Sequence, residues 1–184
     1  MQQRARRSAH PLDGMQIQPA TLEDCHAIAE VHVESWQHAY KQILPAPYLA
    51  SLSVTEREAM WRRAVEQWPS QLLVARTAGQ IVGFISFGAS RDDGASPECA
   101  EVWAIYVRPA FWSAGIGCQL WLAARQRILE AGYKSTSLWV IADNERAIRF
   151  YERAGFRAEL ESRKQFELGG ASLEEVRYFM HDAA

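Results

Sequence analysis

Asn144-Glu145-Arg146-Ala147-Ile148-Arg149-Phe150-Tyr151-Glu152-Arg153-Ala154-Gly155-Phe156 reads as a short helix with a defined start and stop. Asp143 or Asn144 can cap its first turn, because a short polar side chain there accepts an orphan backbone N–H. Ala147, Phe150, Tyr151 and Ala154 recur at helical spacing and predict one buried stripe. Gly155 stands where helices commonly end in a left-handed residue, and Phe156 opens the next strand.

Upstream, the apolar run Val102 to Val107 predicts a strand. Ile116, Leu120, Trp121, Ala124 and Ile128 predict an amphipathic helix that ends at Gly132. The segment between, Val107-Arg108-Pro109-Ala110-Phe111-Trp112-Ser113-Ala114-Gly115-Ile116-Gly117, leads from a strand into a helix N-terminus. Unpaired N–H groups and the positive end of the helix dipole make such a junction an anion site, and a pyrophosphate is its natural guest. Glycines let a ligand approach the backbone where a Cβ would obstruct it. Taken alone, G-x-G describes equally well a connection whose glycines serve tight packing. Leu120 stands where a dinucleotide fingerprint needs its third glycine, and no G-x-x-x-x-G-K-[ST] occurs.

The pattern N-x-x-A-x-x-F-Y-x-x-x-G-F closely resembles the late motif of the GNAT superfamily of acyl-CoA-dependent N-acyltransferases. The upstream loop resembles that family's pyrophosphate motif, [Q/R]-x-x-G-x-[G/A], at Trp112, Gly115 and Gly117. Two departures stand out. The family usually has Gln or Arg where this chain has Trp112, and often Gly and a basic residue where it has Ser113 and Ala114. The backbone N–H groups of Ser113 to Cys118 remain as donors. The likeness in element order runs along nearly the whole chain from Met15, but only these two late segments carry specific motifs.

The resemblance implies an N-acetyltransferase that moves an acetyl group from acetyl-CoA, its co-substrate, to a primary amine of a small molecule or peptide. A non-catalytic acyl-CoA sensor is the alternative. It further implies cofactor contacts from Ile105, Tyr106 and Val107 on the strand, from Trp112, Ser113, Ala114, Gly115, Ile116 and Gly117 in the loop, and from Asn144, Ala147 and Tyr151 on the late helix. Tyr151 becomes the general acid for the departing sulfur, or else an aromatic core residue. Glu101 resembles the general base of the histone-acetylating branch, with an ion-paired strand charge as the bland alternative and Glu98 as second candidate. Even spacing predicts Glu101 on one strand face with Trp103, Ile105 and Val107. Trp36 and Tyr40, with Glu101, are the candidate acceptor-binding residues, near His38 and Tyr48.

Composition fits this reading. The chain has 184 residues, 48% of them hydrophobic, enough for one domain with a real core. A net charge of −2 supplies no overall field for nucleic acid. Cys25, Cys99 and Cys118 suggest neither a disulfide framework nor a metal pair, so a cytoplasmic setting is the simplest expectation. His26, His32 and His38 recur every six residues and share no helical face, so no metal is expected. Met1–Gly14 holds Arg4, Arg6 and Arg7 without a following apolar run and is expected to be a flexible tail ahead of one domain over 15–184. No membrane span is expected, and both a monomer and a homodimer stay open.

The remaining elements follow from periodicity and punctuation. Met15–Pro19 predicts a strand, and Thr21 with Asp24 predicts the start of a helix through Ile28 and Val31. Trp36–Leu44 is expected as loop and Tyr48–Trp68 as a second helical region. Leu72–Thr77 and Ile81–Gly88 predict a hairpin around Ala78-Gly79-Gln80, and Arg91–Pro97 a loop. Strands at 135–141, 157–167 and 173–180 complete the order β-α-α-β-β-β-α-β-α-β-β. The expectation is an α/β (α+β) fold, with a mixed, mostly antiparallel sheet of about seven strands flanked by about four helices.

Overall fold

The computed structural model describes residues 14–181. The tail expected at the N-terminus lies outside these residues except for Gly14. The first half runs β1 (Gln16–Pro19), α1 (Cys25–Ala39), α2 (Ala46–Ala50), α3 (Val54–Gln67), β2 (Leu72–Thr77), β3 (Gln80–Ala89) and β4 (Cys99–Val107). The second runs α4 (Ile116–Glu130), β5 (Ser135–Ile141), α5 (Glu145–Arg153), β6 (Arg157–Leu168) and β7 (Ala171–His181). The seven strands form one sheet in the order β1-β2-β3-β4-β5-β7-β6. Only β4 and β5 are parallel, joined through the α4 crossover, whereas the other neighbouring pairs are antiparallel, β2–β3 and β6–β7 as hairpins. No helix among the described residues is long and apolar enough to cross a membrane.

Two helical expectations need correction. Trp36–Ala39 is not loop but the last turn of α1. The helix continues because buried polar residues, His32 and Ser35, fill the inward positions that an apolar count leaves blank. The region 48–68 is two helices. The first ends at Ala50, and Ser53 caps the second, its Oγ accepting from Glu56 N at 3.2 Å. With this break there are five α-helices among the described residues, against about four expected.

α1 and α3 cover one face, burying Ile28, Val31, Trp61, Leu72, Val74 and Phe84 together. α4 covers the other, where Leu120, Trp121, Ala124 and Ile128 meet Leu73, Ile85, Val102 and Leu138. α5 lies on that second face, with Ala147, Phe150, Tyr151 and Ala154 packed against the core but only half-buried. Tyr40, Leu44 and Leu49 join Ile141 and Leu173 in a third cluster, which docks α2 on the far half of the sheet. There the β6–β7 turn lies so close that a Cβ on Gly169 would meet the Tyr48 ring at 2.3 Å.

Candidate active site

The site grows from a defect in β4. Ser86 pairs with Ala104 and Phe87 with Val102, so Trp103 is an extra residue, a β-bulge. A bulge advances the pleat by one residue. Val102, Ile105 and Val107 therefore all pack on the α4 side, and Glu101 faces the α1 side with Ala104 and Tyr106. This corrects the expectation that Glu101 shares a face with Ile105 and Val107, because strict alternation assumes an unbroken ladder.

Beyond the bulge β4 parts from β5. The two strands pair only where Cys99–Glu101 meet Ser135–Ser137. Arg108 N donates to Val82 O at 2.8 Å, and the register then places Tyr106 opposite Phe84 in a hydrogen-bonded pair. Alternation in an antiparallel ladder turns the amides of Ile105 and Val107 the other way, towards the gap. Tyr106 is thus the exception among the three strand residues: its backbone belongs to β3, and only its side chain serves the site. The Val107 carbonyl accepts from Ser35 Oγ at 3.0 Å and from Trp112 Nε1 at 2.6 Å.

The loop after β4 ends in a helix start without a side-chain cap. Gly115 occupies the cap position at φ 86°, and Ser113 also takes a positive φ, 62°. The first amides of α4, on Ile116, Gly117 and Cys118, are thereby presented outward as donors. A Cβ on Gly117 would meet the Phe150 ring at 3.5 Å and Val107 Cγ2 at 4.0 Å, ordinary contacts. Protein packing does not demand a glycine there, which removes the tight-packing explanation. The uncapped amides, the gap and the bare Gly117 backbone together fit a phosphate-bearing group with an extended arm.

Trp112 has a structural partner that the sequence reading overlooked. The Arg146 guanidinium carbon lies 3.5 Å from the centroid of the Trp112 ring, a close cation–π stack. Burial, with some help from Arg149, lowers the Arg146 pKa, a sign that its charge is partly desolvated. The position was visible within the stretch Asn144–Phe156, but a stack across two elements has no sequence signal.

Asn144 caps α5, accepting from Ala147 N at 3.2 Å, and it is also a hydrogen-bonding neighbour of the Tyr40 hydroxyl. Tyr40 in turn neighbours Tyr106. The Trp36 N–H lies close enough to favour the Tyr106 oxygen without reaching ordinary hydrogen-bond geometry. Burial, reinforced by the nearby Tyr40, raises the Tyr151 pKa and keeps its phenol protonated. Trp36, Tyr40, Tyr106, Asn144 and Tyr151 thus converge from α1, β4 and α5 with their caps.

One cavity adjoins this cluster through Trp36 and Tyr106, and a second meets the first at Arg91 and Trp103. The first, of about 410 Å³, is lined by aromatic residues from α1, α3 and β4. His32 stacks on Tyr106 there at 5.1 Å, and its Nδ1 accepts from Trp61 Nε1 at 3.2 Å. Burial, and secondarily the Arg57 charge, push the His32 pKa down to about 3, so the ring is a neutral wall rather than a base. The other, of about 370 Å³, contains Glu101, Asp92, Trp139, Lys164 and Glu175. The Glu101 carboxylate is 3% exposed. It accepts from Arg91 N at 2.8 Å and from Arg91 Nη2 at 2.5 Å, one bond to each oxygen. Glu98 is exposed and pairs with Lys134 outside both cavities.

Known proteins share this fold. The profile of the Acetyltransferase (GNAT) family matches residues 25–156. An uncharacterized N-acetyltransferase, YuaI, of Bacillus subtilis is 32% identical over 160 residues, 87% of this chain and 89% of that protein. Mycothiol acetyltransferase of Propionibacterium freudenreichii is 32% identical over 80% of this chain, which spans only 45% of that protein. Among solved structures, a PaiA N-acetyltransferase from Thermoplasma acidophilum in complex with coenzyme A superposes with a TM-score of 0.67 at 23% identity, covering 88% of this chain and 97% of that one. YncA from Salmonella typhimurium, a putative acetyltransferase with its cofactor acetyl-CoA, gives 0.71 at 22% identity, covering 92% and 96%. At these identities the structural likeness speaks for the fold.

Proposed function

This chain belongs to the GNAT family of acetyltransferases, and from that premise we propose that it transfers an acetyl group directly from acetyl-CoA to a primary amine of a small molecule or peptide. The observation that carries the proposal is the parting of β4 from β5 beside the uncapped start of α4, with Tyr151 packed on the same side. Acetyl-CoA supplies an activated thioester, and the residues of the chain do the rest.

The amides of Ser113 and of Gly115 to Cys118 hold the pyrophosphate, Ala114 N–H being turned to Phe111 O at 3.4 Å, and the Ile105 and Val107 N–H groups hold the arm and polarise the thioester carbonyl. Arg146, braced on Trp112, supplies a cation to a loop that lacks the basic residue the family often carries where this chain has Ser113 and Ala114. Asn144 fixes both the start of α5 and the Tyr40 hydroxyl, so Tyr151 on the same helix is held in place.

A lysine-like amine with a pKa near ~10.4 costs roughly 4.6 kcal/mol to deprotonate at pH 7. Glu101 is the base in this proposal, using the lone pairs that its two bonds from Arg91 leave free. Its place on the acceptor side of β4 supports that role over Glu98. Tyr151 returns a proton to the sulfur. In water a phenol protonates a thiolate uphill by about 2 kcal/mol. Burial raises the phenol further, but the same dry surroundings raise the thiol too, so the gap need not widen.

Calorimetric titration tests the core of this reading, with acetyl-CoA compared against desulfo-CoA and free adenine nucleotides. Micromolar binding that depends on the pantetheine arm, followed by thiol release with an amine, is expected. Binding without turnover on any amine would return the chain to an acyl-CoA sensor, and no binding would leave only the fold.

A further inference from the structure

The larger cavity has a sign. Its charged lining residues are Arg57 and Arg91, and no Asp or Glu stands in its wall. Arg91 is already neutralised by Glu101. Arg57, on α3, has no carboxylate within ion-pair distance among the described residues. Its guanidinium makes only a long contact to Met60 Sδ, 4.0 Å, and lies 5.9 Å from the Trp36 ring centroid. An arginine cannot escape by deprotonation, and a half-buried guanidinium without a counter-ion is electrostatically unsatisfied.

The rest of the wall adds donors. The His32 ring accepts at Nδ1, which leaves its proton on Nε2. Three polar atoms of lining residues lack partners, and two of them, Trp36 Nε1 and Trp103 Nε1, are N–H donors. A cavity with a spare cation, surplus donors and flat aromatic sides fits a molecule that brings an oxyanion on an apolar body. A polyamine would meet two arginines in this wall, and the Glu101 carboxylate that could reach its amine opens on the adjoining cavity and is already paired with Arg91.

We propose that the acceptor is an amine that also bears a carboxylate, bound by Arg57, with its apolar part against Trp36 and Trp61. This rests on the acetyltransfer reading above and narrows its substrate to amino-acid-like compounds. In the reaction the amine nitrogen forms the new bond to the acetyl carbon, the C–S bond breaks, the amine gives up one proton and the sulfur gains one. The carboxylate is a spectator that places the amine.

The test uses matched probes that differ only by the carboxylate: L-phenylalanine against phenethylamine, L-leucine against isoamylamine, and spermidine as the polycation. Thiol release gives kcat/KM for each. Tryptophan fluorescence gives affinity independently of turnover, since four of the lining residues are tryptophans, with 3-phenylpropionate as an anionic probe that cannot react. The carboxylate-bearing member of each pair is expected to bind or turn over at least tenfold better. Arg57→Gln should erase that ratio while acetyl-CoA binding by calorimetry stays at the wild-type value. Equal or better binding of the bare amines, or a preference that survives Arg57→Gln, overturns the proposal. Failure of acetyl-CoA to bind would strike the acetyltransfer reading instead, and the fluorescence ratio would still decide the sign of the cavity.

Discussion

Gly117→Ala separates the two jobs a glycine can do at the start of a helix. Gly117 is the second residue of α4, and an added Cβ would meet nothing nearer than the Phe150 ring at 3.5 Å. The protein therefore accommodates alanine, and relief of glycine's backbone entropy should stabilise the fold by about 0.5 kcal/mol. In a chain of this length that is a rise in Tm of about 1–2 °C. The same methyl group enters the space between Val107 and Phe150, where the amides face outward. Loss of one charge-assisted hydrogen bond to a phosphate costs about 1.5–3 kcal/mol, which weakens acetyl-CoA roughly 10- to 150-fold. Differential scanning calorimetry and titration calorimetry on the same sample read both effects. A variant that binds acetyl-CoA with unchanged affinity would refute the reasoning, because the glycine would then serve something other than the approach of a ligand.

Other substitutions probe the remaining parts. Tyr151→Phe should lower kcat by about 10²- to 10⁴-fold with acetyl-CoA affinity unchanged, the range for a lost general acid; wild-type turnover in stopped-flow thiol detection removes Tyr151 from that role. Glu101→Gln should cut the rate most at low pH, where neutral amine is scarcest, and a pH–rate profile parallel to wild type counts against a base at this position. Arg146→Ala should weaken acetyl-CoA binding about tenfold or more, with a shallower dependence on salt, whereas unchanged affinity at low ionic strength leaves the stack merely structural. His32, held down to about 3 when folded against an ordinary value of 6.5, binds its proton more readily in the unfolded chain. Its contribution is therefore complete above pH 6.5 and is lost as pH falls towards 3, to the extent of a few kcal/mol. His32→Gln, which keeps an acceptor for Trp61, should flatten that acid limb in Tm measured from pH 7 to 4.

Much of the fold is local and therefore legible. Strand 135–141 was expected with the bounds it has, since seven residues between turn signals admit little else. The loop after β4 and the helix after Asn144 follow from spacing, and the structure places both beside the gap. What escaped depends on contacts between distant residues. The bulge at Trp103 is a property of how β4 meets β3, so the face of Glu101 lay beyond any single-strand pattern. α1 outran its expected end because Ser35 is buried against a carbonyl seventy-two positions away. The Ser53–Glu56 cap is a feature that the local pattern S-x-x-E does carry. Arg57 became informative only when the cavity showed that no acid faces it.

The Trp112–Arg146 stack carries a consequence for heredity. Replacing Trp112 by the glutamine or arginine usual in the family would not be a simple restoration. It would remove the platform under Arg146 and the indole bond to the Val107 carbonyl in one step. Changing Arg146 first would strip the loop of its cation while the indole still occupies the place of a polar side chain. Neither single change leads smoothly back to the common motif. The two positions form an epistatic pair, with coupling measurable in a double-mutant cycle. Lineages that took the tryptophan are expected to have kept the arginine.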